Sequence, residues 1–313
     1  MYENRTVCLI LPAWNEEALI GETLAAIPAI VDRVIVVDDG SRDRTAEIAR
    51  EHGAEVVSHG RNRGVGAAFN TGLRAALARD VDIVVNMDAD GQFDPADIEA
   101  LLRPMIEQGV DFVTASRFKD ERLYPRMSKT KFAGNRLMSA LISRMTGRRF
   151  FDVSCGFRAY SRDALARLNL FGEFTYTQET FLDFAFKNVS ILEVPVEVRG
   201  VRKEGTSRVA SNLFRYAYQT MKIIVRTVRD YRPFKLFAGL AAVAFLPGVA
   251  LAVFLAVHYA RSGGFSPHKW AGFTAGFLLM IAALCFFLGF VLDMFARMRL
   301  NQEEILYQLK KRR

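Results

Sequence analysis

Short apolar runs alternate with polar, turn-forming segments through residues 6–115. Five of the runs have the length and composition of buried strands, and the segments after the first four have the spacing of helices. The predicted strands cover residues 6–11, 33–37, 54–58, 82–87 and 110–115, and the predicted helices cover residues 17–27, 44–52, 65–78 and a segment starting at Pro95. Pro12 is expected to end the first strand, whereas Pro95 occupies a first helical turn, where proline is favoured. Repeated strand–helix units predict an α/β domain whose mainly parallel sheet is covered by helices.

Two apolar segments near the end of the chain have a different pattern. Residues 236–257 and 271–292 contain no charged residue, and each is long enough to cross a bilayer as a helix. The short link between them, residues 258–270, predicts a transmembrane hairpin. A water-facing domain joined to a membrane hairpin indicates that one substrate is soluble and that the other is a lipid.

The segment before the first span predicts an amphipathic helix. Basic and polar residues would line one of its faces and apolar residues the other: Arg215, Gln219, Lys222, Arg226 and Arg229 against Phe214, Ala217, Tyr218, Met221, Val225 and Val228. This pattern is typical of a helix lying in the plane of the lipid headgroups. The alternative is a helix packed on the globular domain with a solvated basic face.

The net charge of +8 is unevenly distributed, with clusters of arginine and lysine before the first span and after the second. The link between the spans contains only Arg261 and Lys269 as basic residues, besides two histidines. The positive-inside rule therefore predicts that the globular domain and both termini are cytoplasmic. Attraction to anionic headgroups accounts for the excess charge, so no nucleic-acid partner is expected. The predicted division is a globular domain at 1–210, a juxtamembrane helix at 211–235, the hairpin at 236–292 and a basic tail at 293–313.

Polar clusters follow four of the predicted strands, at residues 12–16, 38–41, 88–92 and 116–117. Because ligands gather at the carboxyl ends of parallel strands, these clusters predict a single site at one edge of the sheet. In an extended segment residues two apart point the same way, so Asp88, Asp90 and the Gln92 amide can face one cation. Such oxygen ligands suit Mg²⁺ or Mn²⁺, which recruits phosphate oxygens and waters to complete its shell. An isolated Asp-X-Asp also occurs by chance and often only caps a helix.

Two further motifs have alternative interpretations. Asp38 and Asp39 end a strand, where an acidic residue can bind a base or ribose, although Ser41 or Asp43 can also serve there as a helix cap. The glycines after position 63 have the start of a dinucleotide-binding fingerprint. However, Phe69 replaces its third glycine, which argues against a dehydrogenase.

Five motifs together make the chain resemble the family 2 glycosyltransferases of the GT-A fold. They are LPAWNEE at 11–17, VDDGS at 37–41, NRGVGAA at 62–68, DADGQ at 88–92 and DVSCGFR at 152–158, within a match over about residues 5–208. With the hairpin, the layout is similar to the dolichol-phosphate mannose synthase group and its bacterial polyprenyl-phosphate glycosyltransferase relatives. The Gln-X-X-Arg-Trp motif of processive members is absent from the sequence, which argues for transfer of a single sugar.

The resemblance implies roles for particular residues. Donor binding falls to Pro12, Trp14, Glu16, Val37, Asp39, Asp88, Ala89, Arg202 and Arg208, and metal binding to Asp88, Asp90 and Gln92. Arg117 lies near the transferred phosphate groups, and Lys131 is where a basic residue is expected to meet the acceptor phosphate. Arg202 and Arg208 flank a loop that would close on the donor phosphates. Asp88, Asp90 and Arg117 are the expected catalytic set.

The predicted reaction is inverting, non-processive transfer of one hexose from a GDP- or UDP-sugar to a polyprenyl phosphate. A polyprenyl phosphate is ionised at pH 7, so alignment and charge stabilisation would replace a general base. Glu179 lies where other family members place a base. It would carry that role in one alternative, a transferase acting on the hydroxyl of another membrane lipid. A non-catalytic, nucleotide-binding membrane scaffold is the other alternative.

Overall fold

The structure, a computed structural model, describes residues 1–125, 127–169, 176–199, 221–222 and 225–311. The chain divides into two compact units, one of residues 1–223 with 309–313 and the other of residues 224–308. The first unit contains the sheet, and the second contains most of the two long apolar helices. Residues 211–220, 223 and 224 of the predicted juxtamembrane helix, and both Arg202 and Arg208, lie outside the described residues.

The first unit is built around one seven-stranded sheet. Its strands are β1 (Val7–Ala13), β2 (Arg33–Asp38), β3 (Glu55–Ser58), β4 (Ile83–Asn86), β5 (Phe112–Ser116), β6 (Arg158–Ser161) and β7 (Ile191–Pro195). The helices beside them are α1 (Glu17–Ala25), α2 (Thr45–Glu51), α3 (Val65–Leu77), α4 (Ile98–Glu107), α5 (Lys129–Thr146), α6 (Arg162–Arg167) and α7 (Thr177–Phe186). The five strands predicted from the sequence are all present, with ends shifted by no more than two residues.

The strand order is β3-β2-β1-β4-β6-β5-β7, and every pairing is parallel except those made by β6. The prediction of a mainly parallel α/β sheet, the GT-A arrangement, is thus confirmed. The antiparallel strand β6 was not predicted, because its four residues begin with an arginine and lack an apolar run. It separates β4 from β5, so the polar residues after β5 lie two strands away from those after β4.

The core strands are buried on both faces, as expected for a sheet covered by helices. Val7 to Leu11 in β1 have no exposed surface. The prediction that Pro12 ends this strand was wrong, since β1 continues to Ala13 and Pro12 still pairs in register with Val37. Proline has no N–H to donate, but β1 pairs with β4 only as far as Ile10, so Pro12 lies beyond that pairing. The longer β1 brings residues 12–16 to the rim of the sheet.

The second unit contains α8 (Pro233–Ser262) and the larger part of α9 (Lys269–Lys311), both long and apolar enough to span a membrane. They contain the two predicted apolar segments but are longer at both ends, which leaves residues 263–268 as the link. At 43 residues, α9 is about 65 Å long, roughly twice the hydrocarbon thickness of a bilayer. Large apolar side chains on both helices are exposed, among them Leu246, Phe273 and Phe287.

Small residues lie where the two helices pack on each other. Gly248 of α8 faces Leu278 and Leu279, whose side chains would be 3.2 Å from an added Cβ. Gly289 of α9 is closer still, since an added Cβ would lie 2.9 Å from Cβ of Phe237. Close backbone approach through small residues is the usual packing of membrane helices.

Candidate active site

The polar clusters after β1, β2 and β4 lie at the same edge of the sheet, because these three parallel strands are neighbours. Ala13 pairs with Asp38, so β1 and β2 end together. β4 ends at Asn86, opposite Ile10, and the chain after it stays beside β1, since the amide of Met87 donates to the carbonyl oxygen of Ile10. Residues 12–16, 38–41 and 88–92 therefore emerge side by side. The arrangement leaves a rim of loops at the carboxyl ends of the central strands, the usual position of a ligand in an open α/β sheet.

The loops after β1 and β2 are hydrogen-bonded to each other. The amide of Asn15 donates to Oγ of Ser41 at 2.9 Å, and the amide of Arg42 donates to Oδ1 of Asn15 at 2.8 Å. The amide of Glu16 donates to Oγ1 of Thr45 at 2.8 Å. These bonds fix the backbone around Trp14, a residue predicted to bind the donor. Pro12 and Trp14 are partly exposed, whereas Glu16 is buried.

Asp39, another predicted donor ligand, organises the loop after β3. Its Oδ1 accepts hydrogen bonds from Nδ1 of His59 at 2.7 Å and from the amide of Arg63 at 2.9 Å, and its Oδ2 accepts one from the amide of Gly64 at 2.8 Å. Gly40 beside it has a φ of +75° and no space for a side chain, since Cβ would lie 2.6 Å from the carbonyl carbon of Arg61. Asp39 thus has a clear structural role, and its contact with a donor stays a prediction.

Two predicted donor contacts involve side chains that lie in the core. Val37 has no exposed surface, and Ala89 is 2% exposed. Neither side chain reaches the rim, so any contact that these residues make with a ligand is through their main-chain atoms.

The predicted metal ligands follow β4. Asp90 is 5% exposed, and its Oδ1 accepts the amide of Gln92 at 3.1 Å, which orients the carboxylate within the turn. Asp88 and Gln92 are partly exposed. Among the residues that the structure describes, no group of three or more His, Cys, Asp or Glu side chains is placed to hold a metal ion. Two carboxylates and an amide fit Mg²⁺ or Mn²⁺ in a shell completed by waters and substrate phosphates.

Arg117, predicted to contact phosphate, forms a bidentate ion pair with Asp152. Its Nε donates to Oδ2 at 2.6 Å and its Nη2 to Oδ1 at 2.9 Å, and Nη2 also donates to Oγ of Ser154 at 2.9 Å. Asp152 is fully buried, and the Arg117 side chain is 18% exposed. The guanidinium is therefore held rigidly at the end of β5. Its role toward a phosphate stays a prediction.

Two opposing effects act on the pKa of Asp152. Burial raises the pKa of Asp152, but the Arg117 guanidinium and its hydrogen bonds outweigh burial, so the pKa lies below the ordinary value. Glu193 of β7 accepts the amides of Phe151 and Asp152, the latter at 2.7 Å. Burial raises the pKa of Glu193 above its ordinary value despite these bonds.

Two other predicted residues differ in exposure. Lys131 lies exposed in the first turn of α5, a helix capped by Oγ of Ser128. Glu179 lies in the first turn of α7 and is 9% exposed.

Sequence reasoning gave no role to a cluster beneath Asp88. Asn86, the last residue of β4, is fully buried, and its Nδ2 donates to the carbonyl oxygen of Gly156 at 2.8 Å and to the hydroxyl of Tyr176 at 2.7 Å. Gly156 belongs to the DVSCGFR motif, which was the available signal for this cluster. Asn86 and Tyr176 carried no signal, because they are 90 positions apart.

Comparison with known proteins identifies the class of enzyme. The model of the family described as glycosyl transferase family 2 matches residues 8–168. The chain belongs to this family, which confirms the resemblance drawn from the motifs.

Named relatives and a solved structure agree with this assignment. The chain is 34% identical over 215 residues to the UDP-N-acetylglucosamine–dolichyl-phosphate N-acetylglucosaminyltransferase of Methanococcus voltae, covering 62% of this chain and 86% of that protein. It is 28% identical over 300 residues to the undecaprenyl-phosphate 4-deoxy-4-formamido-L-arabinose transferase of Pectobacterium atrosepticum, covering 91% of this chain and 84% of that protein. The fold is similar to that of glucosyl-3-phosphoglycerate synthase from Mycobacterium tuberculosis in complex with Mn²⁺, UDP and glucosyl-3-phosphoglycerate. That similarity has a TM-score of 0.56 and 26% identity, and it covers 72% of this chain and 80% of that one.

Proposed function

We propose that this protein transfers one hexose from a nucleotide sugar to a polyprenyl phosphate at the cytoplasmic face of a membrane, with inversion at the anomeric carbon. The observation that carries the proposal is the combination, in one chain, of a family 2 glycosyltransferase domain with two helices able to span a bilayer. A soluble donor suits the rim of the sheet, and a lipid acceptor suits an enzyme held in the membrane.

Relatives support the choice of substrates. The names of the Methanococcus voltae and Pectobacterium atrosepticum enzymes specify dolichyl phosphate and undecaprenyl phosphate as acceptors. The second of these alignments reaches into both apolar helices, since it covers 91% of this chain. A UDP-sugar is the donor that the Methanococcus voltae enzyme and the UDP complex of the solved structure favour, with a GDP-sugar as the alternative.

The chemistry follows from the charge of the reactants. A divalent cation bound at this site would supply Lewis acidity that stabilises the departing nucleotide diphosphate. Asp90 and Gln92 would hold it, with Asp88 close by, as the turn after β4 presents two carboxylates and an amide. Lys131 is exposed and available to an acceptor phosphate, and the Arg117 guanidinium, paired with Asp152, is partly exposed at the end of β5. In-line attack by the ionised phosphate oxygen needs no proton transfer, so no general base is assigned.

The decisive experiment measures sugar transfer by the full chain, purified in detergent or nanodiscs. Labelled UDP- and GDP-hexoses are each offered with undecaprenyl phosphate, dolichyl phosphate or diacylglycerol. We expect a lipid-linked monosaccharide with a polyprenyl phosphate only. Product on diacylglycerol that depends on Glu179 would favour the lipid-hydroxyl transferase instead. Nucleotide binding without any transfer would identify a scaffold.

The metal role is tested by Asp90→Asn. We expect at least about 100-fold loss of kcat, comparable to the removal of one electrostatic stabiliser of a transition state. The matched control is Asp94→Asn, since Asp94 is exposed and only caps a helical turn through the amide of Ala96, which asparagine does equally well. Full turnover by Asp90→Asn, or undiminished activity in excess EDTA, would overturn the metal assignment.

A further inference from the structure

We propose that His59 is a positioning residue for the donor nucleotide, which it serves by occupying one carboxylate oxygen of Asp39 and leaving the other for the ligand. His59 would act through Asp39 and not touch the nucleotide itself. The proposal rests on the proposed function, in which Asp39 contacts the donor. His59 lies between the VDDGS and NRGVGAA motifs and belongs to neither.

The sheet places the side chains of Asp39 and His59 next to each other. Asp38 pairs in register with Ser58, so Asp39 and His59 are the first residues after the neighbouring parallel strands β2 and β3. The amide of His59 donates to the carbonyl oxygen of Asp38 at 2.8 Å, and Nδ1 of His59 lies 2.7 Å from Oδ1 of Asp39. The side chains of His59 and Asp39 are only 6% and 5% exposed, so this contact is shielded from water.

Counting hydrogens gives the contact a direction. Both Asp39 oxygens accept main-chain amides, Oδ1 from Arg63 and Oδ2 from Gly64, as an ionised carboxylate does. Such a carboxylate has no hydrogen to give, so Nδ1 of His59 carries the hydrogen of this bond. Nε2, on the other side of the ring, lies 2.9 Å from Oγ1 of Thr71, a hydroxyl that can donate to it. The partner of each ring nitrogen thus agrees with hydrogen on Nδ1.

The two oxygens of Asp39 are unequally used. In the described part of the chain, Oδ1 accepts two hydrogen bonds, from His59 and from the amide of Arg63, whereas Oδ2 accepts one, from the amide of Gly64. A carboxylate oxygen has two lone pairs, so Oδ1 is fully occupied and Oδ2 can accept one more donor. An N–H or O–H group of the nucleotide is a suitable donor, and a hydrogen bond to a charged acceptor is a strong one.

Helix α3 holds the histidine ring in place. Thr71 lies in this helix, next to Gly72, where an added Cβ would be only 3.2 Å from Cγ2 of Val37 in β2. The helix therefore lies close against the strand that leads into Asp39. With its ring bonded to the helix on one side and to Asp39 on the other, His59 fixes the carboxylate before any nucleotide binds, which is what a preorganised site requires.

Three single variants test this role. His59→Phe keeps a ring but removes both nitrogens, whereas His59→Asn keeps an N–H donor near the position of Nδ1. His52→Phe is the matched control, since His52 is exposed and its Nδ1 contacts the carbonyl oxygen of Ile48 one turn earlier in the chain. The readout is the affinity of the full chain in detergent for UDP and for GDP, each with Mn²⁺, by calorimetry. The Tm of each variant is measured alongside, so that binding is compared where all are folded.

We expect His59→Phe to weaken binding of the preferred nucleotide about tenfold, the effect of losing one hydrogen bond to a charged group. His59→Asn should recover most of this affinity, because it restores a donor to Oδ1 of Asp39. His52→Phe should leave the affinity unchanged. In an Asp39→Asn background His59→Phe should add little, because residues that act through one another are not additive.

NMR of the protein with isotope-labelled histidine gives a second measurement. The signal of His59, identified by its loss in His59→Asn, should show a hydrogen on Nδ1. A ring that carries its hydrogen on Nε2 alone could not donate to Asp39 and would overturn the proposal.

The binding data can overturn it as well. His59→Asn as weak as His59→Phe, or equal effects of His59→Phe with and without Asp39, would show that His59 does not act by donating to this carboxylate. None of these measurements needs a lipid acceptor. A failure of the proposed transfer to polyprenyl phosphate and a failure of the His59 role are therefore separate results.

Discussion

Arg117 and Asp152 show how the role of a single residue depends on a partner far away in the sequence. The sequence predicted Arg117 as a phosphate ligand, because a planar guanidinium suits phosphate and the residue follows a strand at the expected edge. The fold pairs it with a fully buried carboxylate 35 positions away. The pair holds the end of β5 against the segment that contains Gly156, and contact of Arg117 with a phosphate stays a prediction.

At this scale we predict that Asp152→Asn lowers the free energy of unfolding by about 3–5 kcal/mol, the usual result of removing one partner of a buried ion pair. The control is Asp120→Asn, which removes the carboxylate of an ion pair with Arg122, a residue whose side chain is 87% exposed, and should change stability little. Thermal unfolding of the full chain in detergent measures both. Equal stability of Asp152→Asn and wild type would show that the pair contributes nothing to the fold.

The same pair predicts a pH dependence. The pKa of Asp152 is lower in the folded protein than its ordinary value of 3.8, so its contribution to stability is complete above that value and is lost as the pH falls through the folded pKa. We expect the decrease of Tm below about pH 4 to be shallower in Asp152→Asn than in wild type. Parallel curves for the two proteins would contradict this assignment.

Among the elements, the buried strands were easier to predict than the pairing and packing between elements. Four of the five predicted strands have apolar runs that are mostly buried, and such runs are visible in the sequence, whereas β3 at the edge of the sheet is only partly buried. Strand β6 has no such run, since Arg158 begins it and its place between β4 and β5 comes only from antiparallel pairing with both. For α8 and α9, hydropathy predicted two spans but not the residues through which they pack.

For these helices we predict that Gly289→Leu disrupts the hairpin, whereas Gly276→Leu is tolerated. Both glycines lie on α9, but a Cβ at Gly289 would be 2.9 Å from Cβ of Phe237, and one at Gly276 would meet nothing within 4 Å. Overpacking of this kind costs about 1–3 kcal/mol. The Tm in detergent should fall for Gly289→Leu and remain near that of wild type for Gly276→Leu. A similar fall for both variants would rule out packing at Gly289 as the cause.

For the whole molecule, the main question is how the two helices orient the chain in a membrane. The concentration of basic residues before α8 and after its partner span predicts that the globular domain and both termini are cytoplasmic. The link of residues 263–268 would then face the opposite side.

This orientation predicts that a cysteine at Ser266 reacts with a membrane-impermeant maleimide in intact cells. A cysteine at Ser58, exposed in β3, should react only after permeabilisation. The native Cys8 and Cys155 give little background, because both are buried and burial raises the pKa of each thiol to about 12. Labelling of Ser58→Cys and not of Ser266→Cys in intact cells would reverse the proposed topology.

The sequence by itself determined the α/β architecture, the two apolar spans and the family, because periodicity, hydropathy and short motifs are local properties of the chain. The sequence also predicted that residues 12–16, 38–41 and 88–92 lie at one edge of the sheet, since the carboxyl ends of neighbouring parallel strands lie at the same edge. Only the tertiary structure decided that Arg117 pairs with Asp152 and that Asn86 meets Tyr176 beneath Asp88. These contacts join residues 35 and 90 positions apart, and burial and hydrogen bonding select such partners only once the chain has folded.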